Sequence, residues 1–277
     1  MDETLAILAR LWPDLERLAR LDDAPVHALM AVFVRVGAVV SLLPGFGERT
    51  LPSRIKLAVA LGYALLLWPA LSPLAQAAAE ADPGLAAGQP FALLRALGSE
   101  ALIGLALGMS ARLMVMSLQL AGTIAGQSTS IAQIAGAQVT PDPMPAIGAL
   151  LTVGGIALAM TLGLPVKAAV LILRSYEVIP LAALPLPGDV AQWGVDRAGA
   201  AFALAFSLAA PFVVASFAYN LALGALNRAM PQLMVAFVGA PAITMGALLI
   251  LWIGAPEMLA HWSERLDDTL AQPFGSP

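Results

Sequence analysis

The sequence predicts an all-α, membrane-associated protein built from broken helices and helical hairpins, and three observations carry that prediction. Hydrophobic residues make up 60% of the 277 and charged residues only 12%, about half the charged share of soluble domains. Six apolar stretches, residues 26–43, 55–75, 96–118, 146–173, 198–226 and 233–253, each reach or approach the ~20 residues with which a helix crosses a bilayer core. Pro and Gly interrupt several of them, at Pro69 and Pro73, Gly163-Leu164-Pro165, Pro211 and Gly239-Ala240-Pro241. Hairpins that turn back inside the apolar layer therefore fit as well as six straight spans.

Ahead of these stretches, Leu5, Leu8, Leu11, Trp12, Leu15, Leu18 and Leu21 recur at helical spacing, with Arg10, Asp14, Arg17 and Arg20 between them. That is an amphipathic helix for a membrane surface or a partner, kinked at Pro13. Asp2 and Glu3 stand where a secretory signal would be positive, so none is expected. Within the apolar stretches, Arg35, Arg112 and Lys167 are ionisable groups that normally face a bundle interior or cavity. Snorkelling near a segment end is the alternative for all three, and it suits Lys167 poorly because that residue lies well inside its stretch. Glu100, near the start of the third stretch, reads as an acid that complements a helix N-terminus. Gly98, Gly104, Gly108, Ala149, Gly154 and Gly155 are small enough to let helices approach closely. At the far end, Met258, Trp262, Leu266 and Leu270 oppose Glu264, Arg265, Asp267 and Asp268 in an amphipathic helix that leads to a flexible Phe274-Gly275-Ser276-Pro277. The Lys/Arg distribution leaves the membrane topology open.

Residues 119–145 stand apart. They carry Gln, Ser, Thr, Gly and Ala with Asp142 as the single charge, between flanks apolar enough for a membrane. Such a segment satisfies its polar groups only inside protein or against a water-filled cavity, which points to a loop that lines or closes a pore. Asp142 and Pro143, in Thr140-Pro141-Asp142-Pro143, make a rigid corner at its end. Met109, Met114 and Met116 precede it, and adaptable thioether side chains beside a pore would close around varied passengers.

Composition also excludes. A net charge of −4 with no basic tract removes the footprint of nucleic-acid binding. Cysteine is absent, and His27 and His261 lack ligand spacing, so no metal centre is expected. Ser128, Thr129 and Ser130 have no histidine near them in sequence, and no catalytic constellation or cofactor motif emerges; an enzyme is not expected. A secondary transporter for a small solute would want paired broken helices in two related halves and coupling acids at mid-depth; the breaks are present, the repeat and the acids are not.

The run Asn220-Leu-Ala-Leu-Gly-Ala-Leu-Asn-Arg-Ala-Met-Pro-Gln-Leu, continued to Gly239-Ala-Pro241, resembles the signature of the FliR family, the flagellar members of the FliR/YscT/SpaR type III export-gate subunits. Arg35 through Pro44, then Arg49, Pro52, Arg54 and Lys56, resemble the family's first hairpin, and Glu100 to Gly108 its third apolar helix. Ala121-Gly122, Gly126, Asp142-Pro143 and Leu208-Ala-Ala-Pro211 follow in the expected order, so the likeness covers nearly the whole chain. It implies a FliP-like part, residues 1–185, followed by a FliQ-like helical hairpin with an amphipathic tail, residues 186–277, assembled with FliP-like, FliQ-like and FlhB-like subunits into a helical spiral. It further implies residence in the bacterial inner membrane within the flagellar basal body, and unfolded flagellar proteins as passengers. By the same resemblance, Gln119, Gly122, Gly126, Gln127, Ser128, Thr129, Ser130 and Gln133 belong to a channel plug, with Met109, Met114 and Met116 at the constriction. Arg228, Pro231 and Gln232 then belong to an inter-subunit turn. The chain departs from the family's pattern where Ser128-Thr129-Ser130 replaces a usual Gln-Met-Gly, and where Gly163-Leu164-Pro165 replaces a usual Asn-Gly-His. The related injectisome gate is the alternative system.

Overall fold

A computed structural model describes residues 23–48, 50–130, 146–229 and 235–275, with the backbone alone at 23–25, 130 and 235–240. The regular elements among them are all helices: α1 (Asp23–Leu42), α2 (Ser53–Ala81), the single turn α3 (Pro83–Ala86), α4 (Pro90–Ser130), α5 (Ala146–Thr161), α6 (Leu164–Val178), α7 (Pro187–Ala229) and α8 (Val235–Ala271). The N-terminal amphipathic segment lies outside the described residues.

Of the two readings left open by the apolar stretches, six straight spans is not the one the described residues show. Four helices, within α2, α4, α7 and α8, are long and apolar enough to span, and α5 with α6 makes a fifth only as a pair bent by 74°. The first apolar stretch is a shorter helix, Val26–Leu42. The bend has a local cause: Gly163 sits at φ 82, ψ 32 and Pro165 occupies the first turn of α6, so one residue turns left-handed and the next turn starts without an N–H to donate. A Gly163→Ala change is therefore expected to cost about 1–2 kcal/mol in thermal unfolding of the purified chain. An unchanged midpoint would show that the bend does not depend on glycine.

The other prolines do not break their helices. Pro69 and Pro73 lie inside α2, Pro211 inside α7, and Pro241 and Pro256 inside α8. Pro73 lacks the N–H that would have bonded the Pro69 carbonyl, and Ser72 Oγ donates to that carbonyl instead at 3.4 Å, a repair available to hydroxyls in apolar helices. At Gly239-Ala240-Pro241 the backbone is already helical from Val235, which corrects the reading of a break there.

The chain forms two compact units, one of residues 1–112, 163–196 and 269–277, the other of residues 113–162 and 197–268. In the first, α1 buries Ala28, Ala31, Val32, Val36, Val39 and Val40, an i, i+3, i+4 stripe on a helix that packs on α2 and α3. Gly104 and Gly108 bring α4 against the same helix: a side chain at Gly108 would meet Leu42 Cβ at 2.9 Å and Val39 O at 3.0 Å, and one at Gly104 would collide with the Arg35 carbonyl. Asp82 caps α3 through the Gly84 and Leu85 amides and pairs with Arg95 at 2.5 Å. The final residues dock as well. Trp193 Nε1 donates to the Pro273 carbonyl at 3.2 Å and Phe274 tilts against the Trp193 ring at 5.8 Å, so the expected flexibility of the tail does not extend to Phe274.

In the second unit, Met258, Trp262 and Leu266 of α8 are buried, as their spacing predicts, while Glu264 and Arg265 are exposed. Trp262 is fully enclosed, its Nε1 donating to the Met114 carbonyl at 2.6 Å and its ring edge 3.4 Å from where a side chain on Gly155 would begin.

Candidate functional site

Two groupings stand out, one in each unit. The first is a buried ion pair that sequence reading divided into unrelated parts. Arg35 and Glu100 have side chains with 0% exposure, and the guanidinium grips the carboxylate through Nε–Oε2 at 2.7 Å and Nη2–Oε1 at 3.0 Å. The remaining donors are used too: Nη1 reaches Ser175 Oγ at 3.1 Å, and Nη1 and Nη2 share the Ile179 carbonyl at 3.2 Å. On the acid, Tyr176 OH donates to Oε2 at 3.0 Å and the Ala182 amide to Oε1 at 2.9 Å. Five N–H donors and about four carboxylate acceptor sites are the full capacity of such a pair, and both are filled. The guanidinium also lies 3.7 Å over the Tyr176 ring, a cation–π contact strengthened by desolvation.

This arrangement corrects two sequence expectations. Glu100 is not a helix-start acid, because α4 begins at Pro90, ten residues earlier. Arg35 does not snorkel; it turns inward because a carboxylate on the neighbouring helix compensates it. The available signal was the coincidence of two isolated, opposite charges in separate apolar stretches. Spacing could not have found Ala182, whose φ of 62 is the one positive value at a non-glycine among the described residues. That left-handed alanine presents its N–H to the carboxylate, so the ion pair holds the first half of the connection between α6 and α7, at Ile179 and Ala182.

Arg112 is paired as well, with Glu48 Oε1 at 2.6 Å and both side chains partly exposed. Lys167 is half-buried.

The second grouping is the C-terminal part of α4. Residues 119–130 are helical, not a loop; residues 131–145, which include Gln133, Asp142 and Pro143, lie outside the described residues. The helix absorbs its own polar groups: Thr123 Oγ1 donates to Gln119 O at 2.8 Å, Ser128 Oγ to Ala125 O at 2.9 Å, and Thr129 Oγ1 to Ala125 O and Gly126 O at 3.0 Å. These three hydroxyls are thus satisfied within the helix that carries them. One face is buried through Leu118, Ala121, Ala125 and Ser128, and a side chain on Gly122 would overlap the Gly148 backbone of α5. Carbonyls in the last turn have no intrahelical donor; that of Ser128 is taken by Ser216 Oγ of α7, whose residue in turn receives Asn220 Nδ2 at its carbonyl, 2.8 Å, and its hydroxyl, 3.2 Å. Gln127 is exposed, and Gln119, Gly126 and Thr129 are half-buried.

The three methionines do not share a face. Met109 and Met116 are 44% and 46% exposed, while Met114 is 3% exposed. Seven residues bring a helix nearly back to the same side, and five place a side chain about 140° away.

Residues 26–269 match the family model for bacterial export proteins, family 1. The chain belongs to that family, in its FliR group. It is 32% identical over 249 residues to the flagellar biosynthetic protein FliR of Caulobacter vibrioides, covering 88% of this chain and 95% of the relative. Over 246 residues it is 29% identical to FliR of Pectobacterium carotovorum, covering 86% and 89%. The corresponding figures for FliR of Bacillus subtilis are 31% over 223 residues, covering 77% and 80%. In this FliR-family chain, Asn220 of the signature run bonds to Ser216 within α7, and Arg228 is exposed in that helix's last turn, where a cation complements the C-terminal dipole. Pro231 and Gln232 lie outside the described residues.

Proposed function

We propose that this membrane protein is a subunit of the flagellar type III export gate in the bacterial inner membrane, placed in the flagellar basal body. The observation that carries the reading is the family match over residues 26–269 together with FliR relatives matched over most of their length. In this reading the chain joins FliP-like, FliQ-like and FlhB-like subunits and helps form the channel for unfolded flagellar proteins. Residues 1–185 act as the FliP-like part and 186–277 as the FliQ-like part, and the join falls in the connection that Arg35 and Glu100 clamp. Arg228, Pro231 and Gln232 form the inter-subunit turn, and a planar guanidinium able to donate to several carbonyls suits that joint. Residues 119–137 block the channel at rest, and Asp142 with Pro143 makes the rigid turn that ends this stretch. Met109 and Met116, exposed on one side of α4, supply the adaptable constriction, while Met114 supports it from inside.

The reading is tested by deleting the coding sequence in the source bacterium. Swimming and secretion of flagellar subunits should both be lost and return on complementation, and the tagged chain should co-purify with several copies each of two small apolar partners. Unimpaired swimming would overturn the proposal. The plug assignment has its own test. Removing residues 126–135 should leave the complex intact while raising membrane ion conductance; intact complexes with unchanged conductance would remove the plug role.

A further inference from the structure

A cavity of about 330 Å³ lies beside the connection between α6 and α7, within the size range of ligand sites. Its walls are apolar: Leu102 and Ile103 from α4, Val178 from α6, Leu186 from the connection, Trp193 from α7, and Phe274. Those walls are held from behind. Arg35 fixes the Ile179 carbonyl, and the Trp193 indole is tied to Pro273 and packed by Phe274. The cavity is thus preformed rather than dependent on an occupant.

Three of the apolar lining residues reach the surface: Leu102, Val178 and Leu186 are 47%, 58% and 68% exposed, and α4 and α7 are both candidate membrane spans. Water finds few polar partners in such a space, and an empty one forfeits dispersion contacts on every wall. Hydrocarbon chains are the surrounding solvent of a membrane protein and fill it without desolvating a polar group. One charge borders the cavity: Asp189, exposed in the first turn of α7. A carboxylate there repels an anionic headgroup and attracts an ammonium.

We infer that this cavity is a lipid site, taking one acyl chain of an amine-headed phospholipid with Asp189 beside the headgroup. The test uses the full chain with its co-purified partners in nanodiscs of phosphatidylethanolamine brominated on the acyl chain, where bromine quenches tryptophan on contact. Comparison with Trp193→Phe isolates the Trp193 signal, which should be strongly quenched. Ala106→Phe, which fills the cavity from α4, should relieve that quenching and lower retained lipid in native mass spectrometry about tenfold, the equivalent of two excluded methylenes. Equal partner yield shows that the variant folds, and Leu186→Asn provides a second, smaller perturbation with the same expected direction. Equal quenching in wild type and both variants would mean a non-specific lipid annulus and overturn the inference. An unquenched Trp193, with cross-links from this position to a neighbouring subunit, would overturn it in favour of a protein occupant. Asp189→Asn should abolish preference for phosphatidylethanolamine over phosphatidylglycerol; an unchanged preference would overturn the headgroup assignment.

Discussion

Glu100→Ala should destabilise the folded chain by about 3–5 kcal/mol, the cost of leaving a buried charge without its partner. The cost follows from the saturation of the pair. Arg35 uses every N–H it has, three times toward groups other than Glu100, so removing the acid leaves a cation in apolar surroundings, still tethered to Ile179 and Ser175. The Ala182 amide loses its acceptor at the same time, and nothing then compensates that residue's left-handed backbone. Thermal unfolding of the purified chain in detergent measures the effect, and protease digestion should cut first between residues 179 and 186. Arg35→Met with Glu100→Leu together should cost less than the sum of the two single changes, since apolar replacements of similar volume remove the charge problem as well as the bonds. A Glu100→Ala loss within about 1 kcal/mol would place the pair in the class of weak, solvated bridges, contrary to its complete burial.

Gly122→Val should cost about 1–3 kcal/mol or more by overpacking. The reason is the identity of the neighbour: the added atoms would overlap Cα and N of Gly148, and backbone cannot rotate away as a side chain does. The helices α4 and α5 must separate, which also disturbs Gly155 against Leu118 and Trp262. Gly62→Ala is the control. No neighbour lies within 4 Å of its added methyl, so relief of backbone entropy in a helix should stabilise by about 0.5–1 kcal/mol. Comparing the two in the isolated chain separates close approach from glycine content, and equal effects in the same direction would contradict the packing described for α4 and α5.

Much of the architecture was legible in order and composition, but its elements were legible to different depths. The spacing of Met258, Trp262, Leu266 and Leu270 identified a buried helix face because apolar periodicity survives in any context that offers a core. Gly163-Leu164-Pro165 marked a bend because its backbone preferences are local. Pro69 and Pro73 gave the same signal without a break, and at Pro73 a nearby hydroxyl takes the freed carbonyl, a repair that depends on neighbours. The polar stretch from Gln119 was distinctive as composition, and over residues 119–130 it is helix where a loop was expected. Its hydroxyls fold back onto their own helix, and its small residues gain their meaning from Gly148, which lies across from them only after folding.

The sequence alone therefore determined that this chain is helical, resides in a membrane and carries the marks of the export-gate family, because hydrophobicity, helix-breaking residues and motif order are properties of single segments. Tertiary structure decided which charges are bonded, where α4 meets α1 and α5, and which methionines are exposed. Arg35 and Glu100 are separated by 65 residues, and each by itself looks like a liability in an apolar helix. Only the packing of α1, α4 and the connection after α6 turns them into one neutral, saturated joint.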